Sequence, residues 1–289
     1  MNIHLELNND LKTIVNKFIN SDQNLEFEAL ISRKITAEQL YKLLGVLKHK
    51  FSGTIKKSIY LNIYHKNTRV VINGINDIKD LYKNENIKNQ NEFLYKEKYD
   101  EYKDTNYNFK FNLKLEDKPH NLNINNFKDN YKNIEKTYRF IERYSFFNNN
   151  IRYDISLVKQ STGLSILESN IFFKPLSYEI ELEYINKNNT INNIIQEFYQ
   201  NLLFTIQILD NTPYPLTNKE MSSIYSEYMK IVNHSNIGPK LVGMAKNTIN
   251  NMTISDIENN NYLISAKADG ENYKLFINNL GQAYLVNNN

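Results

Sequence analysis

Two combs of alternating glutamates are the residues of this chain best placed to do chemistry. The first, LEFEAL at 25–30, sets Glu26 and Glu28 around Phe27; the second, YEIELEY at 178–184, sets Glu179, Glu181 and Glu183 around Ile180 and Leu182. Strand side chains alternate faces with a period of two, so in a strand each comb projects its carboxylates to one side and its apolar residues to the other. Neighbouring strands would bring five carboxylates together. Such a cluster repels itself unless cations neutralise it, and oxygen ligands suit hard divalent cations.

The elements that must position the combs can be read on either side of them. Leu11, Ile14, Val15, Phe18 and Ile19 form an apolar stripe at helical spacing, broken at Asn20, Ser21 and Asp22 before the first comb. A second helix starts at Thr36, which has capping-box spacing to Gln39, and Leu40, Leu43, Leu44 and Leu47 continue its face. From about residue 54 the chain turns to short alternating runs: IKKSIYLNIYHK, TRVVING, EFLYKEKY, NFKFNLKLED, RFIERYSF, IRYDISLVK and the second comb. Apart from a short helix near 75–83, this predicts antiparallel strands in a barrel or sandwich. In NFKFNLKLED, Phe109, Phe111, Leu113 and Leu115 share one face and Lys110, Asn112, Lys114 and Glu116 the other; Arg152, Asp154 and Ser156 again share a polar face. For one strand a solvated face explains this. Across many strands, cations and carboxylates at one phase fit a closed barrel with a charged lumen and helices packed outside. Ile191, Ile194, Ile195, Phe198, Leu202 and Leu203 form a further packing stripe, and Met221, Ile224, Tyr225 and Tyr228 another, with Pro213 and Pro215 in the loop between.

Composition bounds the rest. With 289 residues, 41% hydrophobic and 12% aromatic, the chain can bury one large core, or a core and part of a second domain. It has no cysteine, which excludes disulfides and thiolate metal sites and makes an intracellular setting the simplest one. Neither a signal sequence nor a stretch of transmembrane length is present, so the reading is a soluble chain with no membrane partner. A net charge of +3 does not by itself announce nucleic-acid binding. Asn runs such as Asn148 to Asn150 read as surface loops of a drifted sequence. The histidines, His4, His49, His65, His120 and His234, have no metal-ligand spacing.

The order E-x-E, Arg, a Lys-rich strand, R-Y-S, R-x-D-x-S and E-x-E-x-E resembles the tunnel-type, metal-dependent RNA 5′-triphosphatases of the triphosphate tunnel metalloenzyme superfamily. The resemblance is nearest to the giant-virus type, through NLEFE at 24–28, RYSF at 143–146, RYDIS at 152–156 and YEIELEYINK at 178–187, and spans about residues 20 to 210. It implies that Glu26, Glu28 and Glu183 hold Mg²⁺ or Mn²⁺, with Glu179 and Glu181 in support. It further implies that Arg69, one of Lys96 and Lys98, Lys110, Arg143 and Arg152 bind phosphates, that Asp154 orients Arg152, and that Glu116 positions the attacking water. This chain departs from the family in having Ile141 where a Lys is common, a loss that Arg139 could make good. These residue types suit hydrolysis of a terminal phosphoryl group, which depends on holding the phosphate, neutralising its oxygens and aligning water.

A second resemblance lies in YLISAKADGENYKLFI at 262–277, whose Lys267, Ala268, Asp269 and Gly270 are similar to the K-x-D-G motif of capping guanylyltransferases and nucleic-acid ligases. There the Lys attacks the nucleotide α-phosphate, so Lys267 would be the nucleophile. HSNIGPKLVGMAKNTI at 234–249 resembles the entry to such a module, while Asn272 stands where a basic residue is usual. The expected class is therefore α+β: a closed antiparallel barrel with flanking helices over 1–211, followed over 212–289 by the truncated start of a nucleotidyltransferase domain too short to transfer GMP alone. The expected reaction is removal of the γ-phosphate from triphosphate-ended RNA in mRNA capping, in the host cytoplasm or a virion. GTP enters only with a completed guanylyltransferase, and a capping methyltransferase or other downstream modules are the expected partners. Alternatives are a tripolyphosphate or nucleotide hydrolase of the same fold, or a non-catalytic module of a capping complex.

Overall fold

A computed structural model of the chain describes residues 8–51, 55–88, 91–119, 121–232 and 273–287. The chain divides into two compact units, Met1–Pro215 and Leu216–Asn289. In the first, α1 (Asn9–Asn20) precedes β1 (Leu25–Ile31), and α2 (Ala37–Lys50) follows it. Then come β2 (Lys56–His65), β3 (Thr68–Asn73), α3 (Ile75–Asn84), β4 (Glu92–Asp104), β5 (Phe109–Asp117) and α4 (Asn121–Asp129). β6 (Lys136–Asn148), β7 (Ile151–Gly163), α5 (Ile166–Ser169), a 3-10 turn (Ile171–Phe173), β8 (Ser177–Tyr184) and α6 (Ile191–Leu209) complete it.

The eight strands close into an antiparallel barrel in the order β1-β5-β4-β3-β2-β6-β7-β8. Closure leaves no free sheet edge. Alternation then sorts each strand into a polar inner and an apolar outer row, and the outer rows are buried under helices. One cluster joins Phe27, Phe111, Leu113, Tyr153, Ile180 and Leu182 to the apolar faces of α1, α2 and α6. On α6 the Phe198 ring lies 5.0 Å from that of Phe27, 5.8 Å from Phe111 and 5.6 Å from Tyr184. That packing holds the phase of both combs, because a one-residue slip would drive Glu26 and Glu28 into the aromatic cluster. A second cluster covers β2 and β3, where Leu61, Ile63, Val70 and Ile72 meet Ile78 and Leu81 of α3 and Phe127 of α4.

Local signals act as their chemistry requires. Thr36 and Gln39 form a reciprocal capping box at the start of α2. Asn108, Asn149, Asn170 and Asn211 all adopt positive φ, the left-handed conformation that Asn tolerates better than most residues. Part of the Asn usage is thus turn chemistry. Buried Lys136 donates to the carbonyls of Tyr131, Ile134 and Leu164 with the Tyr131 ring 4.3 Å away, tying the segment after α4 to the chain leaving β7.

Two elements differ from the sequence expectation. α4, NLNINNFKD, is rich in poor helix formers; packing of Ile124 and Phe127 in the second cluster, with Phe127 against Phe93 and Tyr131, anchors it. In the second unit, α7 (Asn218–Val232) buries Tyr228 but leaves Met221 and Tyr225 exposed. Tyr228 meets Phe276 of a hairpin made by β9 (Tyr273–Ile277) and β10 (Ala283–Asn287). Lys267 and Asn272, with the K-x-D-G segment, lie outside the described residues. Among the described residues no helix is long and apolar enough to cross a membrane.

Candidate active site in the barrel lumen

The combs meet because β1 and β8 are neighbours. Glu28 stands opposite Glu183, and Glu181 lies opposite Leu30. On the far side of β8, Arg152 pairs with Glu183, Asp154 with Glu181 and Ser156 with Glu179; on the far side of β1, Lys114 pairs with Glu26 and Asn112 with Glu28. Register partners point to the same side of a sheet, so these residues project together into the barrel. The lumen encloses about 730 Å³ and is lined by Glu26, Glu28, Glu181 and Glu183 along with Arg69, Lys96, Lys114, Arg143 and Arg152.

Each carboxylate faces a cation. Glu26 accepts from Lys96 at 2.7 Å, and Glu28 from Lys114 and, at 3.2 Å, from Asn112. Glu116 bridges Arg69 at 2.8 Å and Lys96 at 3.0 Å. Glu183 accepts from Arg152, whose Nε also donates to Asp154 at 3.1 Å. Arg143 spans three strands, donating to Ser156, Asp154 and Glu181 at 2.9 Å each. Asp154, 2% exposed, also accepts from Ser145 at 2.6 Å, so a single buried carboxylate fixes two guanidinium groups.

Of the residues singled out from the sequence, Lys98 lines the lumen and pairs with Glu101. Lys110 also pairs with Glu101, at 3.1 Å, and is absent from the lining. Glu179 is engaged by Arg139 at 2.5 Å. The phosphate-binding set that the resemblance implies lacks Lys114, which shares the polar phase of Lys110; four residues further along β5, it is the one that reaches Glu28. Tyr60, Asn62 and Tyr64, on the inner face of β2, had no charge to mark them.

The acidic wall is electrostatically uneven. Although burial pushes the Glu26 carboxyl up, Lys96 and Arg69 hold it below the ordinary value. Burial and the neighbouring Glu181 push Glu28 up against the pull of Lys114 and Lys96. Burial raises Glu183 from 4.5 to about 7, opposed by Arg152 and reinforced by Glu26, Asp154 and Glu28. Glu183 therefore favours the fold in its neutral form. That contribution is fully present below about pH 4.5 and is lost as pH rises through about 7, and Glu28 acts in the same direction. Thermal unfolding in excess chelator should show stability falling between pH 5 and 8, by on the order of 3 kcal/mol at most. Glu183→Gln should flatten the fall; an equally steep profile in that variant would refute this assignment.

The donor set fits a hard divalent cation. Glu26, Glu28 and Glu183 offer carboxylate oxygens from two adjacent strands, and two of the three are disfavoured as bare anions. Among the described residues no three such side chains already converge as ligands, because each turns to its cationic neighbour.

The fold is thus a closed eight-stranded antiparallel barrel with hydrophobic faces outward and a lumen of paired carboxylates and cations. Solved structures share it: the mimivirus capping enzyme triphosphatase superposes with a TM-score of 0.55 at 22% identity, covering 70% of this chain and 96% of that one. A second crystal form of that triphosphatase gives the same score at 21% identity. Over 156 residues, 53% of its length, this chain is 35% identical to the probable mRNA-capping enzyme of Acanthamoeba polyphaga mimivirus. It spans 12% of the mimivirus protein's length. No protein-family model matches the chain.

Proposed function

We propose that the barrel is a metal-dependent RNA 5′-triphosphatase that hydrolyses the γ-phosphate of triphosphate-ended RNA to leave a diphosphate end, the first step of mRNA capping. The observation that carries this reading is the meeting of Glu28 with Glu183 in a lumen that also presents Arg69, Lys96, Lys114, Arg143 and Arg152. Glu26, Glu28 and Glu183 would hold Mg²⁺ or Mn²⁺, which supplies neutralisation of phosphoryl oxygens and organises water. Arg143 and Arg152, pre-oriented by Asp154, present planar N–H forks to phosphate oxygens, while Lys96 and Lys114 act as mobile charges. Glu116, held by Arg69 and Lys96, is the candidate to orient a water for in-line attack. The diphosphate product is what a guanylyltransferase consumes, so GTP-using and methyl-transferring capping modules are the partners this reading implies, in the host cytoplasm or the virion.

The test is phosphate release from triphosphate-ended RNA, ATP and tripolyphosphate with Mg²⁺ and with Mn²⁺. The expected result is turnover of RNA that stops in chelator. Absence of release from every substrate with both metals would sink the proposal, and turnover of tripolyphosphate alone would replace it with a polyphosphatase.

A further inference from the structure

A basic path leaves the lumen at one rim of the barrel. Lys56 is the first residue of β2, lines the lumen and is exposed. Its register partner on β6 is Ser145, whose hydroxyl donates to Asp154 inside the barrel. The next inward residue of β2, Ser58, stands opposite Arg143. One inward step along β2, about 7 Å, therefore separates Lys56 from the level of a phosphate-binding candidate.

Alternation turns the next lysine to the outer face. Lys57 pairs in register with Tyr144, and its ammonium lies 5.3 Å from the centroid of that ring. Lys48, near the end of α2, brings a second ammonium to 5.5 Å from the same centroid. Glu142 accepts from the Tyr144 hydroxyl at 2.6 Å and pairs with half-exposed Lys57 at 2.8 Å. Lys48 is exposed, and among the described residues no carboxylate pairs with it or with Lys56. Three ammonium groups thus stand at this rim against one carboxylate. Two like charges gathered at one ring repel each other, and an anion laid against them relieves the repulsion. Lys50 does not join them, since it lies over the Phe204 ring, 3.7 Å from its centroid. Because Lys56 faces both lumen and solvent, the anion that fits is one continuous with what the lumen holds. A nucleoside triphosphate ends at its α-phosphate, whereas RNA continues with one backbone phosphate per nucleotide.

We propose that Lys56, Lys57 and Lys48 form a track for the backbone of single-stranded RNA whose triphosphate end lies in the lumen. Lys56 meets the first internucleotide phosphate, and Lys57 and Lys48, gathered by Tyr144, meet those that follow. This rests on the phosphatase reading above and adds a place for the chain beyond the lumen. Ammonium groups contact phosphate without reading base edges, so the track is indifferent to sequence.

The experiment compares the full chain with a variant carrying Lys48→Ala and Lys57→Ala, on ATP and on a triphosphate-ended RNA of about ten nucleotides. The ratio of kcat/KM on RNA to that on ATP should fall about tenfold in the variant at low salt. The slope of log kcat/KM on RNA against log salt concentration should flatten by about 1.4, or about 0.7 for each lost contact to a single strand, a change that a merely structural role would not produce. Glutamine replaces alanine at both positions if the variant fails to fold. A ratio within twofold of wild type, or an unchanged RNA slope, overturns the track. If the wild-type chain releases phosphate from no substrate, the phosphatase reading fails separately. Fluorescence anisotropy with the same RNA, labelled at its 3′ end, then decides: weaker binding with a flattened salt slope in the variant upholds the track, and equal binding or none removes it.

Discussion

Replacing Glu28 or Glu183 with alanine lowers phosphate release from triphosphate-ended RNA at least about 100-fold with either Mg²⁺ or Mn²⁺, the scale of losing one preorganised electrostatic group at a reacting centre. Two effects combine. On the proposed reading the cation loses an oxygen ligand, and a basic partner, Lys114 or Arg152, is released from its carboxylate to hold a phosphate in an unproductive place. Glutamine at either position keeps the shape and removes the charge, so it should be nearly as inactive as alanine, which separates charge from packing. The check is steady-state release by variants shown by circular dichroism to be folded. Activity within threefold of wild type in Glu183→Ala would remove this residue from the metal site.

Arg143→Ala should be both inactive and markedly less stable. The guanidinium is the common partner of Ser156, Asp154 and Glu181, and removing it leaves Asp154 buried with only Arg152 and Ser145 as partners. Breaking one side of a buried ion pair costs roughly 3–5 kcal/mol, because the remaining charge stays desolvated. Urea denaturation should show a loss near the lower end of that range, about 3 kcal/mol, since Arg152 still compensates Asp154. Combining Arg143→Met with Asp154→Asn should recover much of the stability and none of the activity. A single-variant loss below about 1 kcal/mol would mean that the network is not mutually dependent.

Several parts of this arrangement were legible in the chain itself. The glutamate combs, the alternation in FKFNLKLED and RYDIS, and the Thr36–Gln39 capping box are local signals, encoded by spacing along one segment, and β1, β5, β7, β8 and α2 form there. The ordered set of motifs also pointed to a barrel with a charged interior, and the barrel closes in that sense. α4 was not legible because it is dominated by Asn, a poor helix former, and its anchor, Phe127, meets partners on β4 and beyond. The choice between Lys110 and Lys114 was equally closed to inspection. Both have the polar phase of β5; the pairing with β1 brings the second to Glu28, and the pairing with β4 brings the first to Glu101.

Sequence alone determined which residue faces alternate, which types of side chain they carry and hence the kind of chemistry the chain can support. Tertiary structure decided where around the barrel those faces stand: that Glu28 meets Glu183, and that Asp154 serves two arginines. The reason is physical. Alternation follows from the backbone of a single strand, whereas register and closure are set by long-range packing, here the wedging of α6 against β1, β5 and β8, and no short segment contains that information.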